Sequence, residues 1–199
     1  SVETPLEDWA NVVLTAAEKC QSIIVGPGLG RSENTIAQIR KIVSEANVTI
    51  VVDADGLHAI ADFPIRASAK VVVTPHDGEY KALTGQLPSD DRIASAQKLA
   101  SNLGVTALLK GSTTTVSSPD GMVLLATKGD ARLATPGSGD VLSGIIGGFL
   151  ANGIPLPIAA AQGAYVHQVA ALRGRRKGLI AGDLPELVAD WLSNSTSEE

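Results

Sequence analysis

Four consecutive residues, Gly137, Ser138, Gly139 and Asp140, offer the clearest chemistry in this sequence. The segment after them, residues 141–150, carries apolar residues at helical spacing. Glycines at the start of a buried helix let backbone N–H groups converge on one point, and the helix dipole adds a partial positive charge there. We therefore expect Gly137, Ser138 and Gly139 to form an anion hole that suits a transferring phosphoryl group.

Asp140 places a negative charge beside this anion hole. One explanation is a general base that takes the proton from a hydroxyl next to the phosphate. The other is an acidic residue in the first helical turn that stabilises the helix dipole. The spacing of the residues leaves both interpretations open.

The composition indicates one compact domain. Of the 199 residues, 44% are hydrophobic and 19% are charged, which gives ample core for a single fold. No apolar run approaches the length of a membrane span, and the N-terminal residues do not resemble a signal peptide. Because Cys20 is the single cysteine, a disulfide framework is excluded and a reducing, cytoplasmic compartment is expected. Cys20 itself is interpreted as a core residue.

The charge of the chain argues against nucleic acid as a partner. The formal net charge is −5, and the chain has two residues each of Trp, Tyr and Phe. These are too few aromatic rings for a surface that stacks on bases. A phosphorylated substrate must then be held by local groups, because the field of the whole protein repels it.

Helical and strand patterns alternate along the chain. Helices are predicted at residues 6–19, 33–46, 91–103, 139–152, 157–173 and 184–193. Strands are predicted at residues 22–26, 48–53, 70–74, 105–109, 113–118 and 122–126. The β-branched runs are typical of a parallel sheet covered on both faces, and the turn residues at 118–121 predict a hairpin. The expected fold is a three-layer α/β/α domain with a mostly parallel sheet and an antiparallel hairpin.

Polar or glycine-rich segments follow four of these strands, at residues 26–30, 53–56, 74–79 and 110–114. Ligands of open α/β sheets bind beyond the carboxyl ends of the strands. We therefore expect these segments and the anion hole to meet at one edge of the sheet. Segment 26–30 alone is weak evidence, since a tight strand-to-helix turn explains it equally well.

Five motifs of this chain resemble a known family. They are GPGLGR (26–31), DADGL (53–57), TPHDGE (74–79), LLKGSTT (108–114) and GSGDVLSGIIGGFLANG (137–153). Together they resemble the ADP/ATP-dependent NAD(P)H-hydrate dehydratases of the ribokinase-like superfamily. The GSGD motif is shared by kinases of that superfamily, whereas PHxGE with DADGL and GPGLG is specific to the dehydratases.

The resemblance implies roles for particular residues. Asp140 would be the catalytic residue that meets the hydroxyl-bearing substrate, and Gly139 would lie at the nucleotide. His76 and one of Gly28 and Gly30 would contact the hydrated nicotinamide cofactor. The AMP moiety would be contacted by Lys110, Gly111, Ser112, Thr113 and Thr114.

The implied activity is repair of hydrated NADH and NADPH, called NADHX and NADPHX. The C6 hydroxyl of the hydrate would be phosphorylated by ADP or ATP with Mg²⁺, and loss of phosphate would restore the reduced cofactor. Bacterial relatives favour ADP, so ADP is the expected donor. Relatives assemble as homo-oligomers, commonly tetramers, and the same is expected here.

Five residues have more than one interpretation or a structural one. His76 is either a ligand or an exposed loop histidine. Glu79 either orients Mg²⁺ through water or begins the helix that follows. Asp53 and Asp55 are interpreted as caps of their own turn rather than as catalytic residues. His167 is interpreted as a structural residue of its helix.

The sequence also departs from the family it resembles. Such domains normally begin with two or three β/α units before the segment equivalent to Ser1, and these supply an alanine that touches the hydrate. We therefore expect a single ribokinase-like domain over residues 1–199 that lacks those units. Its open sheet edge, beside Gly28 and His76, would be covered by another copy or by upstream residues.

Two other functions stay open at this point. One is a small-molecule kinase of the hydroxymethylpyrimidine or hydroxyethylthiazole type, against which PHDGE and DADGL argue. The other is a nucleotide-binding module without catalysis.

Overall fold

The computed structural model describes residues 7–66 and 69–195. Its helices are α1 (Trp9–Ala17), α2 (Glu33–Glu45), α3 (Asp55–Ala59), α4 (Asp77–Thr84), α5 (Arg92–Leu103), α6 (Ser138–Ala151), α7 (Leu156–Arg173) and α8 (Leu184–Ser195). Its strands are β1 (Ser22–Val25), β2 (Thr49–Val52), β3 (Val71–Val73), β4 (Thr106–Leu109), β5 (Thr114–Ser117) and β6 (Val123–Ala126). Two 3₁₀ turns, Ala131–Leu133 and Ala181–Asp183, precede α6 and α8.

The strands form one sheet in the order β1-β2-β3-β4-β5-β6. Strands β1 to β4 are parallel, whereas β5 is antiparallel to both β4 and β6. The predicted α/β/α class is therefore confirmed, and the antiparallel part includes β4 as well as the predicted hairpin. Within the described ranges, no helix is long and apolar enough to cross a membrane.

Alternate residues of the central strands bury opposite faces of the sheet, as the pleat of a strand requires. Val52 of β2 packs into a core formed with α2, α3 and α5. Val51, its neighbour, packs into a second core formed with α6 and α7. Because both faces are covered, continuous β-branched runs are stable here. The three layers hold the carboxyl ends of the parallel strands at one edge, where the site forms.

The sequence pattern does not predict the bounds of helices α3 and α4. They have five and eight residues, too few to show a helical period clearly. The predicted start of helix 6–19 falls on residue 6, which lies outside the described residues. The other predicted elements are present with ends that differ by a few residues.

Cys20 corrects one prediction, because its side chain is exposed instead of buried in the core. The backbone amides of Lys19 and Cys20 close a turn onto the carbonyls of Ala16 and Ala17. This turn directs the cysteine to solvent, and small alanines fill the core on that side of α1.

Strand β1 forms one edge of the described sheet, next to segment 26–30, whereas His76 follows the interior strand β3. The expected cover over the β1 edge stays a prediction, as does the expectation of a single domain without upstream units.

Candidate functional site

A cavity of about 840 Å³ opens beyond the carboxyl ends of β2, β3 and β4. Its walls come from these strand ends, from the loop before α6, from the first turn of α6 and from α7. Most of the predicted site lies in it: His76, Glu79, Lys110, Gly111, Ser112, Thr114, Ser138, Gly139 and Asp140. Four predicted residues do not line it: Gly28, Gly30, Thr113 and Gly137. Three of the four expected strand ends therefore meet at the site.

The glycine-rich segment 26–30 lies next to the cavity and is tied to the end of β2 through Asp55. The Gly30 amide donates to Asp55 Oδ2 at 2.9 Å, and Arg31 Nε donates to Oδ1 at 2.7 Å. The hydrogen bond from Arg31 holds the pKa of the Asp55 carboxyl below its usual value. The interpretation of Asp55 as a cap of its own turn is therefore wrong, because its carboxylate binds the neighbouring loop.

The start of α6 has fewer free backbone amides than the prediction of an anion hole at residues 137–139 requires. Gly137 precedes the helix with φ +85°, a left-handed conformation that suits glycine. The Ser138 amide donates to the Thr135 carbonyl at 3.2 Å, so it closes the turn. The amides of Gly139 and Asp140 belong to the first turn, where the helix itself supplies no acceptor. These two amides are the ones suited to an anion.

Lys110 lies close to this helix start. A Cβ placed on Gly139 would be 3.4 Å from Lys110 Nζ and 3.6 Å from Asp53 Oδ2, so both charged groups lie within van der Waals reach of the first turn of α6. Nζ donates to Asp53 Oδ1 at 2.9 Å and lies 3.5 Å from Glu79 Oε2. An ammonium has three N–H donors. With two directed at these carboxylates, the third can face an anion in the cavity.

Asp53 is a buried carboxylate, with 1% of its surface exposed. Its Oδ1 accepts from the Ala54 amide at 2.9 Å as well as from Lys110. Its Oδ2 accepts from the Ser143 hydroxyl of α6 at 2.8 Å. Asp53 does cap its own turn, as predicted. It also joins the end of β2 to the end of β4 and to α6, which the prediction did not include.

His76 and Glu79 build the start of α4. His76 Nδ1 accepts from the amides of Gly78 at 2.9 Å and Glu79 at 3.2 Å, and Glu79 Oε2 accepts from the His76 amide at 2.9 Å. This reciprocal pattern is a capping box in which histidine replaces the usual hydroxyl. The helix-start interpretation of Glu79 is thus confirmed. No three His, Cys, Asp or Glu residues cluster as a metal site in the described ranges, and the Mg²⁺ role stays a prediction.

Helix α7 contributes two buried polar residues that the sequence analysis did not assign to the site. Gln168 accepts from the Lys128 amide at 2.8 Å and donates to Thr114 Oγ1 at 3.3 Å. His167 lines the cavity and is 5% exposed. Burial, reinforced by the charge of Lys110, lowers the pKa of His167 to about 4. The sequence offers one signal for these two residues: both are polar in a helix that is otherwise rich in alanine. A polar side chain that is buried in such a helix needs hydrogen-bond partners.

The family comparison decides what these motifs represent. The model of the family described as NAD(P)H-hydrate dehydratase matches residues 2–194. The chain belongs to the NAD(P)H-hydrate dehydratase family. The predicted membership is confirmed, and the cavity lies where four of the five motifs of this family meet.

Two curated relatives of this family illustrate the similarity. The bifunctional NAD(P)H-hydrate repair enzyme Nnr of Mycobacterium leprae is 42% identical over 95% of this chain and 41% of its own length. The ADP-dependent (S)-NAD(P)H-hydrate dehydratase of Neisseria meningitidis is 38% identical over 86% of this chain and 62% of its own length. The chain therefore spans less than two thirds of these relatives.

A solved structure of the same family supports the fold. The ADP/ATP-dependent NAD(P)H-hydrate dehydratase of Bacillus subtilis, co-crystallized with ATP and Mg²⁺, matches with a TM-score of 0.79 at 26% identity. The match covers 91% of this chain and 69% of that chain.

Proposed function

We propose that this chain catalyses the nucleotide-dependent dehydration of NADHX and NADPHX. The observation that carries the proposal is the convergence of Lys110, the first-turn amides of α6 and Asp140 in one cavity of a chain that belongs to this family. ADP is the proposed donor, in line with the name of the Neisseria meningitidis relative. The AMP moiety would lie along residues 110–114, and the hydrate would lie toward His76 and segment 26–30.

The reaction has two steps. In the first, the C6 hydroxyl oxygen of the hydrate bonds to the terminal phosphorus of the nucleotide, and the bond to the bridging oxygen breaks. Asp140 takes the hydroxyl proton, while Lys110 and the Gly139 and Asp140 amides stabilise the charge on the transferring group. In the second, the C6–O bond breaks, phosphate leaves with the bonding electrons, and the neighbouring carbon loses a proton to water, which restores the double bond. Phosphorylation is needed because hydroxide is a poor leaving group.

The charges of the cavity fit a requirement for Mg²⁺. Five carboxylates line it: Asp53, Asp77, Glu79, Asp130 and Asp140. Three cations pair with them, since Lys110 meets two carboxylates and Arg92 and Arg132 meet one each. A polyphosphate entering this cavity therefore meets an excess of negative charge, which a divalent cation would offset. Mg²⁺ is typically held by one or two carboxylates plus phosphate oxygens, and Glu79 is the candidate carboxylate.

The direct test is to incubate the purified chain with NADHX, ADP and Mg²⁺ and to follow the absorbance of regenerated NADH. We expect NADH to appear only with all three present, with AMP and phosphate as the other products. Phosphorylation of a hydroxymethylpyrimidine or thiazole alcohol without NADH formation would favour the kinase alternative. ADP binding with no turnover of any of these substrates would favour a binding module.

We also propose that the chain works as a cytoplasmic homo-oligomer, as the family resemblance implies. The exposed thiol of Cys20 is compatible with a reducing compartment. Light scattering of the purified chain measures the assembly, and a monomer with full dehydratase activity would contradict the oligomer.

A further inference from the structure

We propose that Asp53 is a positioning residue, which holds the Lys110 ammonium at the start of α6 so that Lys110 and the first-turn amides bind the same phosphate. This inference rests on the nucleotide site of the proposed function. It adds a role for a residue that would not itself touch the nucleotide.

The geometry gives Asp53 three partners on three elements. Its carboxylate caps its own turn through Ala54, bonds Lys110 after β4 and accepts from Ser143 of α6. Ser143 has no exposed surface, and 2% of the Asp53 side chain is exposed. The ammonium and the helix that would bind one phosphate are thus fixed through one buried carboxylate.

The energetic argument follows from the flexibility of lysine. A lysine side chain has several rotatable bonds and loses their rotamer freedom when it is fixed. Asp53 restrains Nζ in the folded protein, so nucleotide binding need not supply that ordering. The interaction also compensates the charge of Asp53, because a buried carboxylate is stable only when it is paired and hydrogen-bonded.

Two other roles for Asp53 make different predictions. If Asp53 only stabilised the fold, its loss would affect nucleotide binding equally with and without Lys110. If Asp53 bound Mg²⁺ directly, its loss would raise the Mg²⁺ concentration needed for nucleotide binding. In the structure both of its oxygens already accept hydrogen bonds from protein donors, which favours the role through Lys110.

The test is a double-mutant cycle with Asp53→Asn, Lys110→Ala and the double variant. Calorimetry measures the ADP affinity of each protein at a series of Mg²⁺ concentrations, and thermal melting verifies that each is folded. We expect Lys110→Ala to weaken ADP binding by about 10- to 100-fold, the range for a charge-assisted hydrogen bond. Asp53→Asn should weaken it by roughly 10-fold, and by less than about twofold when Lys110 is already absent.

A matched pair of serine variants keeps the test valid if Asp53→Asn does not fold. Each of these serines has a hydroxyl that makes a hydrogen bond involving α6. Ser143, which lies on α6, donates to Asp53, whereas Ser22 donates to the Gly147 carbonyl of α6 at 2.8 Å. Ser143→Ala should weaken ADP binding about two- to fivefold, and only while Lys110 is present. Ser22→Ala should leave the affinity unchanged.

Equal losses in both backgrounds would overturn the proposal in favour of a structural role. A raised Mg²⁺ requirement in Asp53→Asn with no coupling to Lys110 would overturn it in favour of a metal ligand. If the unmodified chain does not bind ADP, the proposed function itself fails, and that outcome is distinct from both.

Discussion

Two glycine-bearing segments lie beside helices at the same edge of the sheet, and they are held in different ways. Segment 26–30 is attached through Asp55, whose partner Arg31 has a side chain that is 61% exposed. Segment 137–140 adjoins the buried carboxylate of Asp53 and the half-buried ammonium of Lys110 that pairs with it. Glycines mark both places where the backbone turns sharply. The cation beside segment 137–140 is held by a buried carboxylate, whereas the cation beside segment 26–30 is exposed to solvent, and this difference favours the first as the proposed phosphate site.

The largest effect in this comparison is expected from Gly26→Ala. Gly26 has φ +125°, and a Cβ there would lie 1.8 Å from the Asp53 carbonyl oxygen. The clash falls on backbone, so the variant should lose roughly 3 kcal/mol or more of unfolding free energy, or fail to fold. Urea denaturation measures the loss.

Gly28→Ala is the matched control for this variant. Gly28 also has a positive φ, but nothing lies within 4 Å of an added Cβ. Its stability should fall by only about 1 kcal/mol. Similar losses for both variants would show that the close approach at Gly26 is unimportant.

Asp140→Asn should have the next largest effect, on turnover. Asparagine keeps the shape but cannot take a proton, so kcat should fall about 100-fold, or about 2.7 kcal/mol in the barrier. ADP affinity should persist in calorimetry, because the first-turn amides and Lys110 remain. An equal loss of ADP affinity and kcat would instead indicate that Asp140 only stabilises the start of α6.

His167 lies in the cavity wall near segment 137–140. We expect it to give the unfolding free energy a pH dependence of intermediate size. The unfolded chain protonates this histidine near its ordinary pKa of 6.5, whereas burial lowers the folded pKa to about 4. The contribution to stability is therefore complete above pH 6.5 and is lost as the pH falls toward 4. Between pH 7 and pH 5 the loss should be about 2 kcal/mol. Urea denaturation at both pH values should show a correspondingly smaller loss in His167→Gln. Identical pH dependences would contradict the pKa shift.

Arg31→Ala should have the smallest effect, since exposed ion pairs contribute little. We expect a change in unfolding free energy below about 1 kcal/mol, with ADP affinity unaltered. A substantial loss of ADP affinity would contradict the proposal that segment 137–140, and not segment 26–30, binds the phosphate.

The sequence predicts the fold well because its signals are local. Strand β3 consists of three valines, and the apolar face of α6 repeats at helical spacing, so each segment reports its own structure. The rule that strand ends meet at one edge brings Lys110, His76 and Asp140 into one cavity. That part of the site follows from topology alone.

The remaining features depend on contacts between distant residues. The turn of Asp53 is readable from sequence, but its bond to Ser143 joins residues 90 positions apart. The hydrogen bond from the Ser138 amide to the Thr135 carbonyl depends on the geometry of one turn. Gly28 and Gly30 share a motif with Gly26, yet their positions outside the cavity are set by the path of the loop. Periodicity carries no information on any of these.

The histidine at the start of α4 also limits which proton transfers are possible in the cavity. Since Nδ1 of His76 accepts two backbone amides, the ring proton of the neutral imidazole must reside on Nε2. His76 can therefore offer a hydrogen to an acceptor atom of a bound molecule, but it cannot receive one without releasing the first turn of its own helix. We therefore expect His76 to favour a carbonyl or hydroxyl oxygen of the proposed substrate and to leave the removal of protons to Asp140.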